Sequence, residues 1–171
     1  MKQLMKILIL CWFLCLGYSC TKKRESSAFS MVLDVVIKQN DSIHVFYTLD
    51  GTINFSEKDF WKKVTGQKRN QKIELEFPKK VVPTQIRIDF SNNLKQEEII
   101  FNKVEFNYKK NSFVAKGKEI YKYFRIDETN TILNPESGTL RRKDPPRKGA
   151  PSLYPNGYYL AVKLEELKYK K

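Results

Sequence analysis

The sequence predicts a mainly β protein: a single antiparallel β-sandwich, jelly-roll-like, with two short helices and a preceding signal helix. Two observations carry this prediction. Apolar and polar residues alternate in short runs such as 73–77 and 86–90, which is typical of strands that bury one face. Turn-forming pairs such as Asp50-Gly51 separate the runs, and short strands at close spacing are typical of a sandwich. A chain of 171 residues suffices for one domain.

The N-terminal segment has the pattern of an export signal. Lys2 and Lys6 precede an unbroken apolar run over residues 7–16. As a helix this run would rise about 15 Å, whereas a bilayer core of about 30 Å needs ~20 residues. The run is therefore too short for a stable span and fits the apolar region of a signal peptide over residues 1–19.

The end of this segment places small residues before a cysteine, in the order Gly17-Tyr18-Ser19-Cys20. It resembles the signal peptides of bacterial lipoproteins of the Bacteroidota type, although Tyr18 stands where that pattern has a small residue. The resemblance implies that Cys20 carries acyl chains such as palmitate, begins the mature protein and anchors it to a membrane. The alternatives are a secreted protein cut near Ser19 and a retained N-terminal anchor.

Residues 20–27 are polar and predict a flexible tether. The basic residues Lys22, Lys23 and Arg24 favour contact with anionic lipid head groups. The acidic flank that directs some lipoproteins of this type to the cell surface is missing, so we expect a periplasm-facing protein in the cell envelope.

Residues 28–171 are predicted to form the sandwich. A short helix is predicted over residues 57–65. Ser56 and Asp59 have the spacing of a capping box, and Phe55 and Phe60 that of a hydrophobic staple. Gly66 would end the helix. A second short helix is predicted at 119–124. The predicted strands cover residues 29–37, 43–49, 73–77, 86–90, 99–108, 112–115, 125–133 and 158–164, with a short one around Ile53.

A proline-rich basic loop is predicted over residues 134–157, because prolines cluster there and a long loop in a compact domain is usually functional or disordered. Its cations are candidates for contact with an anionic surface: Arg141, Arg142, Lys143, Arg147 and Lys148.

Net charge indicates which partners the protein favours. The net charge of +13 favours anionic partners such as an anionic envelope polymer, or else describes a solvated lysine-rich surface. Nucleic acid is not expected for an exported protein.

The cysteines Cys11, Cys15 and Cys20 all lie in the export segment, and His44 is the single histidine. We therefore expect no disulfide, no metal site, no cofactor and no nucleophilic triad. The two carboxylates of a glycosidase come together only in the folded protein, so the sequence leaves this enzyme class open as an alternative. The expectation is nevertheless that the protein is not an enzyme.

The remaining signal is recognition chemistry, because sugars are bound by aromatic faces and by planar hydrogen-bonding groups. The candidate ligand-binding residues are Trp61, Arg87, Asp89, Tyr154, Asn156, Tyr158 and Tyr159. Each also has an ordinary interpretation as packing or as a turn.

The segments Lys-Ile-Glu-Leu-Glu-Phe-Pro (72–78), Ile-Arg-Ile-Asp-Phe (86–90) and Ile-Tyr-Lys-Tyr-Phe (120–124) resemble β-sandwich modules of cell-envelope glycosyltransferases and carbohydrate-active proteins, similar to galactose-binding-like domains. The resemblance covers about half of the mature chain and implies binding through Arg87 and Asp89. The expected function is a non-catalytic module for glycan or for an envelope complex. The alternatives are a structural lipoprotein with a protein partner and a carbohydrate-active enzyme.

Overall fold

A computed structural model describes residues 28–90, 92–143 and 149–169. These residues form two antiparallel sheets. The first sheet contains β1 (Ser30–Ile37), β4 (Gln71–Glu76), β6 (Glu98–Tyr108), β7 (Asn111–Lys116), β9 (Thr131–Asn134) and β10 (Thr139–Arg142). The second contains β2 (Asp41–Thr48), β3 (Asp59–Val64), β5 (Gln85–Phe90), β8 (Phe124–Ile126) and β11 (Ser152–Pro155). Two helices complete the described part, α1 (Ile120–Tyr123) and α2 (Tyr159–Tyr169).

Most connections between consecutive strands cross from one sheet to the other, and the exceptions are β2–β3, β6–β7 and β9–β10, which pair within a sheet. The first sheet has the order β4-β1-β6-β10-β9, with β7 also paired to β6, and the second has the order β3-β2-β5-β11-β8. The two strand orders correspond position by position: β4 and β3 come first, β1 and β2 second, β6 and β5 third, β10 and β11 fourth, and β9 and β8 last. The two strands at each position are neighbours in the chain. The chain therefore crosses repeatedly from one sheet to the other, and the predicted mainly β sandwich is confirmed.

The core lies between the sheets and is rich in aromatic rings. Phe90 of β5 meets Phe101 of β6 with ring centroids 5.4 Å apart, and Phe106 of β6 meets Phe124 of β8 at 6.4 Å. All four are fully buried. Because each pair joins one sheet to the other, these rings hold the two layers together.

The helix predicted over residues 57–65 is wrong, because this segment forms the edge strand β3. It pairs with β2, with Phe46 opposite Asp59 and Asp41 opposite Val64. Gly66 is needed for close approach rather than as a helix cap: a Cβ there would lie 2.4 Å from the backbone carbon of Gln39. Pairing with β2 and burial of Val64 thus outweigh the local capping pattern.

The closing strand predicted over residues 158–164 is also wrong, because the chain forms α2. The buried residues of this helix are Leu160, Leu164 and Leu167, which follow the spacing of a helical face. Tyr158 and Val162, which the alternating pattern placed in the core, are exposed.

The loop predicted over residues 134–157 needs correction as well. It contains β10 and β11, and only residues 144–148 within it lie outside the described part. Leu140 and Leu153 are completely buried, so the strands form because each contributes to the core. Pro135 directly follows β9, Pro151 directly precedes β11, and Pro155 ends β11.

The helix predicted at residues 119–124 is confirmed as α1, preceded by a 3₁₀ turn at Gly117–Glu119. The signal peptide, Cys20 and the tether over residues 20–27 lie outside the described residues. Within the described ranges no helix is long and apolar enough to cross a bilayer.

Candidate functional site

The outward side of the second sheet carries a row of rings and charges that we call the aromatic face. It is defined by Trp61, His44, Phe46, Arg87, Asp89, Tyr154 and Arg125. Strand register places them side by side: His44 lies opposite both Trp61 and Asp89, and Phe46 lies opposite Arg87. Because successive side chains of a strand point to opposite faces, the alternate residues of each strand fill the core.

Trp61 forms one end of the aromatic face. Its indole stacks on the imidazole of His44, with ring centroids 3.8 Å apart and an interplanar angle of 19°. His44 also contacts Phe46 at 3.8 Å, and its Nε2 lies 2.9 Å from Oδ2 of Asp59. An ionised carboxylate only accepts hydrogen bonds, so Nε2 is the donor. Trp61 is 54% exposed, and the indole is therefore presented to solvent on a fixed support.

Arg87 occupies the middle of the aromatic face. Its guanidinium lies 4.7 Å from the ring centroid of Phe46 and 4.5 Å from that of Tyr154. Nε and Nη2 donate to the two carboxylate oxygens of Asp89 at 2.8 and 2.6 Å. A forked ion pair of this kind is stronger and better oriented than a single contact. Arg87 and Asp89 therefore form a planar, rigid unit between two rings.

Tyr154 forms the other side of the aromatic face. Arg125 of β8 lies 5.2 Å from its ring centroid, and Phe55 from the β2–β3 loop makes an edge contact at 6.2 Å. Burial raises the pKa of the Tyr154 phenol, so its hydroxyl stays neutral and able to donate at neutral pH.

A second feature lies between the two helices, and we call it the tyrosine cavity. It has a volume of about 540 Å³ and is lined by Tyr121, Lys122, Tyr123, Asn156, Tyr158, Tyr159, Val162 and Lys163. The rings of Tyr158 and Tyr159 stack with centroids 4.9 Å apart. They are 67% and 52% exposed, so the mouth of the cavity presents aromatic surface to solvent.

Asn156 has a structural role at this cavity. Its Nδ2 donates to the carbonyl oxygens of Tyr121 and Lys122 at 3.3 and 3.4 Å, and its backbone N donates to the carbonyl of Tyr123 at 2.8 Å. These bonds hold the end of α1 against the start of α2. The amide is thus used to build the cavity wall.

Tyr121 is the buried polar group of the cavity wall. Its hydroxyl is inaccessible to solvent and has no hydrogen-bond partner among the described residues. Burial raises the pKa of Tyr121 to about 12. The phenol therefore remains protonated throughout the physiological range.

Comparison with protein-family models, with curated proteins and with solved structures gives no match. The chain is assigned to no family. The resemblances to Bacteroidota-type lipoproteins and to galactose-binding-like domains stay predictions, and the local chemistry of the chain carries the functional argument.

The structure divides the predicted ligand-binding residues into two groups. Trp61, Arg87, Asp89 and Tyr154 come together on the aromatic face. Asn156, Tyr158 and Tyr159 belong to the tyrosine cavity. Residues that sequence reasoning did not include also contribute: His44, Phe46, Arg125, Tyr121 and Tyr123. The alternation in residues 43–49, which assigns Ile43, Val45 and Tyr47 to one face, was sufficient to place His44 and Phe46 on the opposite face.

The predicted basic cluster makes internal contacts. Nη2 of Arg141 pairs with Glu98 at 3.0 Å, and Nζ of Lys143 donates to the carbonyl of Glu128 at 3.1 Å. Arg142 donates through Nη1 to the carbonyl of Gly149. Burial lowers the pKa of Arg142. Arg147 and Lys148 lie outside the described residues.

Within the part of the chain that the structure describes, no three His, Cys, Asp or Glu side chains converge as a metal site would require.

Proposed function

We propose that this protein is a lipid-anchored protein of the cell envelope that acts as a non-catalytic glycan-binding module, with the aromatic face as its binding surface. The observation that carries the proposal is the half-exposed indole of Trp61, held by stacking on His44. A sugar ring can lay its C–H face on such an indole. The envelope location and the lipid on Cys20 rest on the N-terminal sequence pattern.

The dimensions of the aromatic face support an oligosaccharide rather than a single sugar. Trp61 on β3 and Tyr154 on β11 are separated by three inter-strand steps, which correspond to about 14 Å. Arg87 and Asp89 lie between them with side chains 23% and 15% exposed. Their planar groups are positioned to bond hydroxyls that lie between stacked rings.

The charge pairing favours binding over catalysis. Glycoside hydrolysis needs one carboxyl group to hold a proton and a second to act as nucleophile or base. Asp89 is held by the forked pair with Arg87, and Asp59 bonds His44. Both carboxylates are therefore engaged in orienting the cationic and aromatic groups.

Trp61→Ala provides the direct test. We expect the full-length chain in detergent micelles to bind envelope polysaccharides on a glycan array and Trp61→Ala to lose at least about tenfold in affinity. The matched control is Tyr169→Ala, which removes another exposed aromatic side chain, 65% exposed, outside the aromatic face. Equal binding by Trp61→Ala and the unaltered protein would overturn the assignment of the surface. A folded protein that binds no glycan would overturn the function.

A protein partner is the second candidate, favoured by exposed apolar side chains in the β2–β3 loop, from which Phe55 contacts Tyr154. Leu49 and Ile53, both in the loop that follows β2, are 45% and 61% exposed. If the loop contacts a protein, Ile53→Lys should abolish a cross-linked complex in intact cells while glycan binding persists.

A further inference from the structure

The aromatic face and the tyrosine cavity lie next to each other in the fold. Strands β8 and β11 pair in antiparallel fashion, with Arg125 opposite Tyr154 and Phe124 opposite Pro155. One step further in the same direction, Tyr123 precedes β8 and Asn156 follows β11, and both line the cavity. Residues two apart in an extended chain are about 7 Å apart. The two features are therefore separated by about one residue pair.

A third strand strengthens this connection. Gln85 begins β5, two residues before Arg87, and is almost completely buried. Its Nε2 donates to the carbonyl of Gly157 at 3.3 Å. Gly157 directly precedes the exposed pair Tyr158 and Tyr159, so the start of β5, the strand that carries Arg87 and Asp89, is bonded to the rim of the cavity.

The path carries charges of both signs: the carboxylate of Asp59, at the Trp61 end, is bonded to Nε2 of His44 at 2.9 Å, and the exposed cations lie nearer the cavity. Arg125 and Lys122 are exposed, and within the described ranges neither forms an ion pair. Lys163 is paired with Glu166 at 2.7 Å. The cavity lining contains two lysines and no acidic residue. On the aromatic face Asp89 is matched by Arg87, and Asp127, two residues beyond Arg125, accepts a hydrogen bond from the backbone of Thr129 at 3.0 Å.

We propose that the aromatic face and the tyrosine cavity form one continuous track for an extended acidic glycan, a polysaccharide whose rings bear carboxylates. The proposal rests on the proposed glycan-binding function and names its ligand class. Sugar rings stack on Trp61 at one end and on Tyr158 and Tyr159 at the other. Their carboxylates contact Arg125 and Lys122 between the ends, since guanidinium groups match carboxylate geometry and ammonium groups act as point charges.

The test uses the full-length chain in detergent micelles and oligogalacturonides as probes, titrated by calorimetry. We expect affinity to rise from the disaccharide to the octasaccharide. We also expect methyl esterification, which removes the carboxylate charge and keeps the ring, to weaken the octasaccharide at least about tenfold. Arg125→Gln and Lys122→Gln should weaken the acidic octasaccharide and leave the esterified one unchanged. Lys110→Gln, on the exposed β6–β7 turn, is the matched control.

Continuity is tested with variants at the two ends. We expect Trp61→Ala and Tyr159→Ala each to weaken the octasaccharide, which binds with one molecule per chain. Two octasaccharides per chain, each lost with only one of the variants, would overturn the single track. Equal affinity for acidic and esterified probes would overturn the acid preference and leave glycan binding intact. Failure of both probe types and of every polysaccharide on the array, in a folded protein, would overturn the proposed function itself.

Discussion

The indole of Trp61 and the imidazole of His44 stack with their centroids 3.8 Å apart, on neighbouring strands where register places the two residues opposite each other. The side chain of His44 is only 14% exposed and is bonded to Asp59, and it supports the half-exposed indole. His44 is therefore a positioning residue for Trp61.

Replacing His44 tests this support. His44→Ala removes the contacts with two rings, and aromatic pairs contribute about 0.5–1.5 kcal/mol beyond area burial. We expect a loss of that size in the free energy of unfolding, measured by urea denaturation. As a control, Lys62→Ala replaces an exposed residue of the neighbouring edge strand β3 and should change the free energy of unfolding by no more than about 0.5 kcal/mol. A His44 variant as stable as the Lys62 control would show that the stack contributes nothing.

The contribution of the Arg87–Asp89 ion pair to the free energy of unfolding can be tested by replacing Asp89. Asp89→Asn replaces a forked ion pair that holds Arg87 between Phe46 and Tyr154, and hydrogen bonds to charged groups contribute about 1.5–3 kcal/mol. We expect a loss of stability in that range in denaturant titrations. The double variant Arg87→Met, Asp89→Leu should recover part of the loss, because no half-buried charge is left unpaired. A double variant less stable than Asp89→Asn would contradict this account.

Tyr121 predicts a stability change at alkaline pH. Its pKa in the folded protein is about 12 against an ordinary value of 10.0. A raised pKa means that the folded state keeps the proton longer than the unfolded state. Its contribution is therefore complete below pH 10 and is lost as the pH rises towards 12. Tyr121→Phe should reduce this decline in the free energy of unfolding, which is measured by denaturant titration at a series of pH values.

The same variant removes a buried hydroxyl that has no partner among the described residues. At neutral pH we expect Tyr121→Phe to be as stable as the unaltered protein or more stable, by up to about 1 kcal/mol. Clear destabilisation would mean that the hydroxyl is bonded, for example to an ordered water.

The segment around β3 distinguishes the observed strand from the helix that the local pattern favours. If residues 57–65 were a helix capped by Ser56, Ser56→Ala would cost about 0.5–2 kcal/mol. In the observed structure Ser56 is an exposed loop residue before β3, so we expect the free energy of unfolding to change by no more than about 0.5 kcal/mol. Gly66→Ala should cost about 1–3 kcal/mol, because its Cβ would meet the backbone of Gln39.

Membrane attachment is predicted to depend on one cysteine. In a bacterial host, Cys20→Ser should abolish cleavage of the signal peptide. It should also abolish incorporation of labelled palmitate into the protein. Cys11→Ser and Cys15→Ser are matched controls inside the same segment and should leave both unchanged. Labelling that survives in Cys20→Ser would exclude Cys20 as the lipidation site.

Several parts of the fold follow from local pattern. The alternation of residues 86–90 predicts β5 and points Arg87 and Asp89 away from the core, as observed. The spacing of Ile120, Tyr123 and Phe124 predicts α1. Both predictions are correct because a strand or helix with one buried face has apolar residues at the period of that element.

The failures share a cause. Residues 57–65 and 158–164 each carry a pattern for the wrong element, and each is decided by what lies beside it. Val64 and Phe60 gain burial only through pairing with β2, whereas Leu160, Leu164 and Leu167 reach the core only as a helix. Local propensities differ by less than the energy of burying such side chains, so tertiary packing decides.

The sequence by itself determined a mainly β class, the outward direction of Arg87 and Asp89 and the supply of aromatic side chains, because these depend on residue type and period. Only the tertiary structure decided which of them meet. Trp61 and Tyr154 are distant in the chain, and the order β3-β2-β5-β11 brings them onto one face. Strand pairing is a long-range choice made by the whole core, and no single segment encodes it.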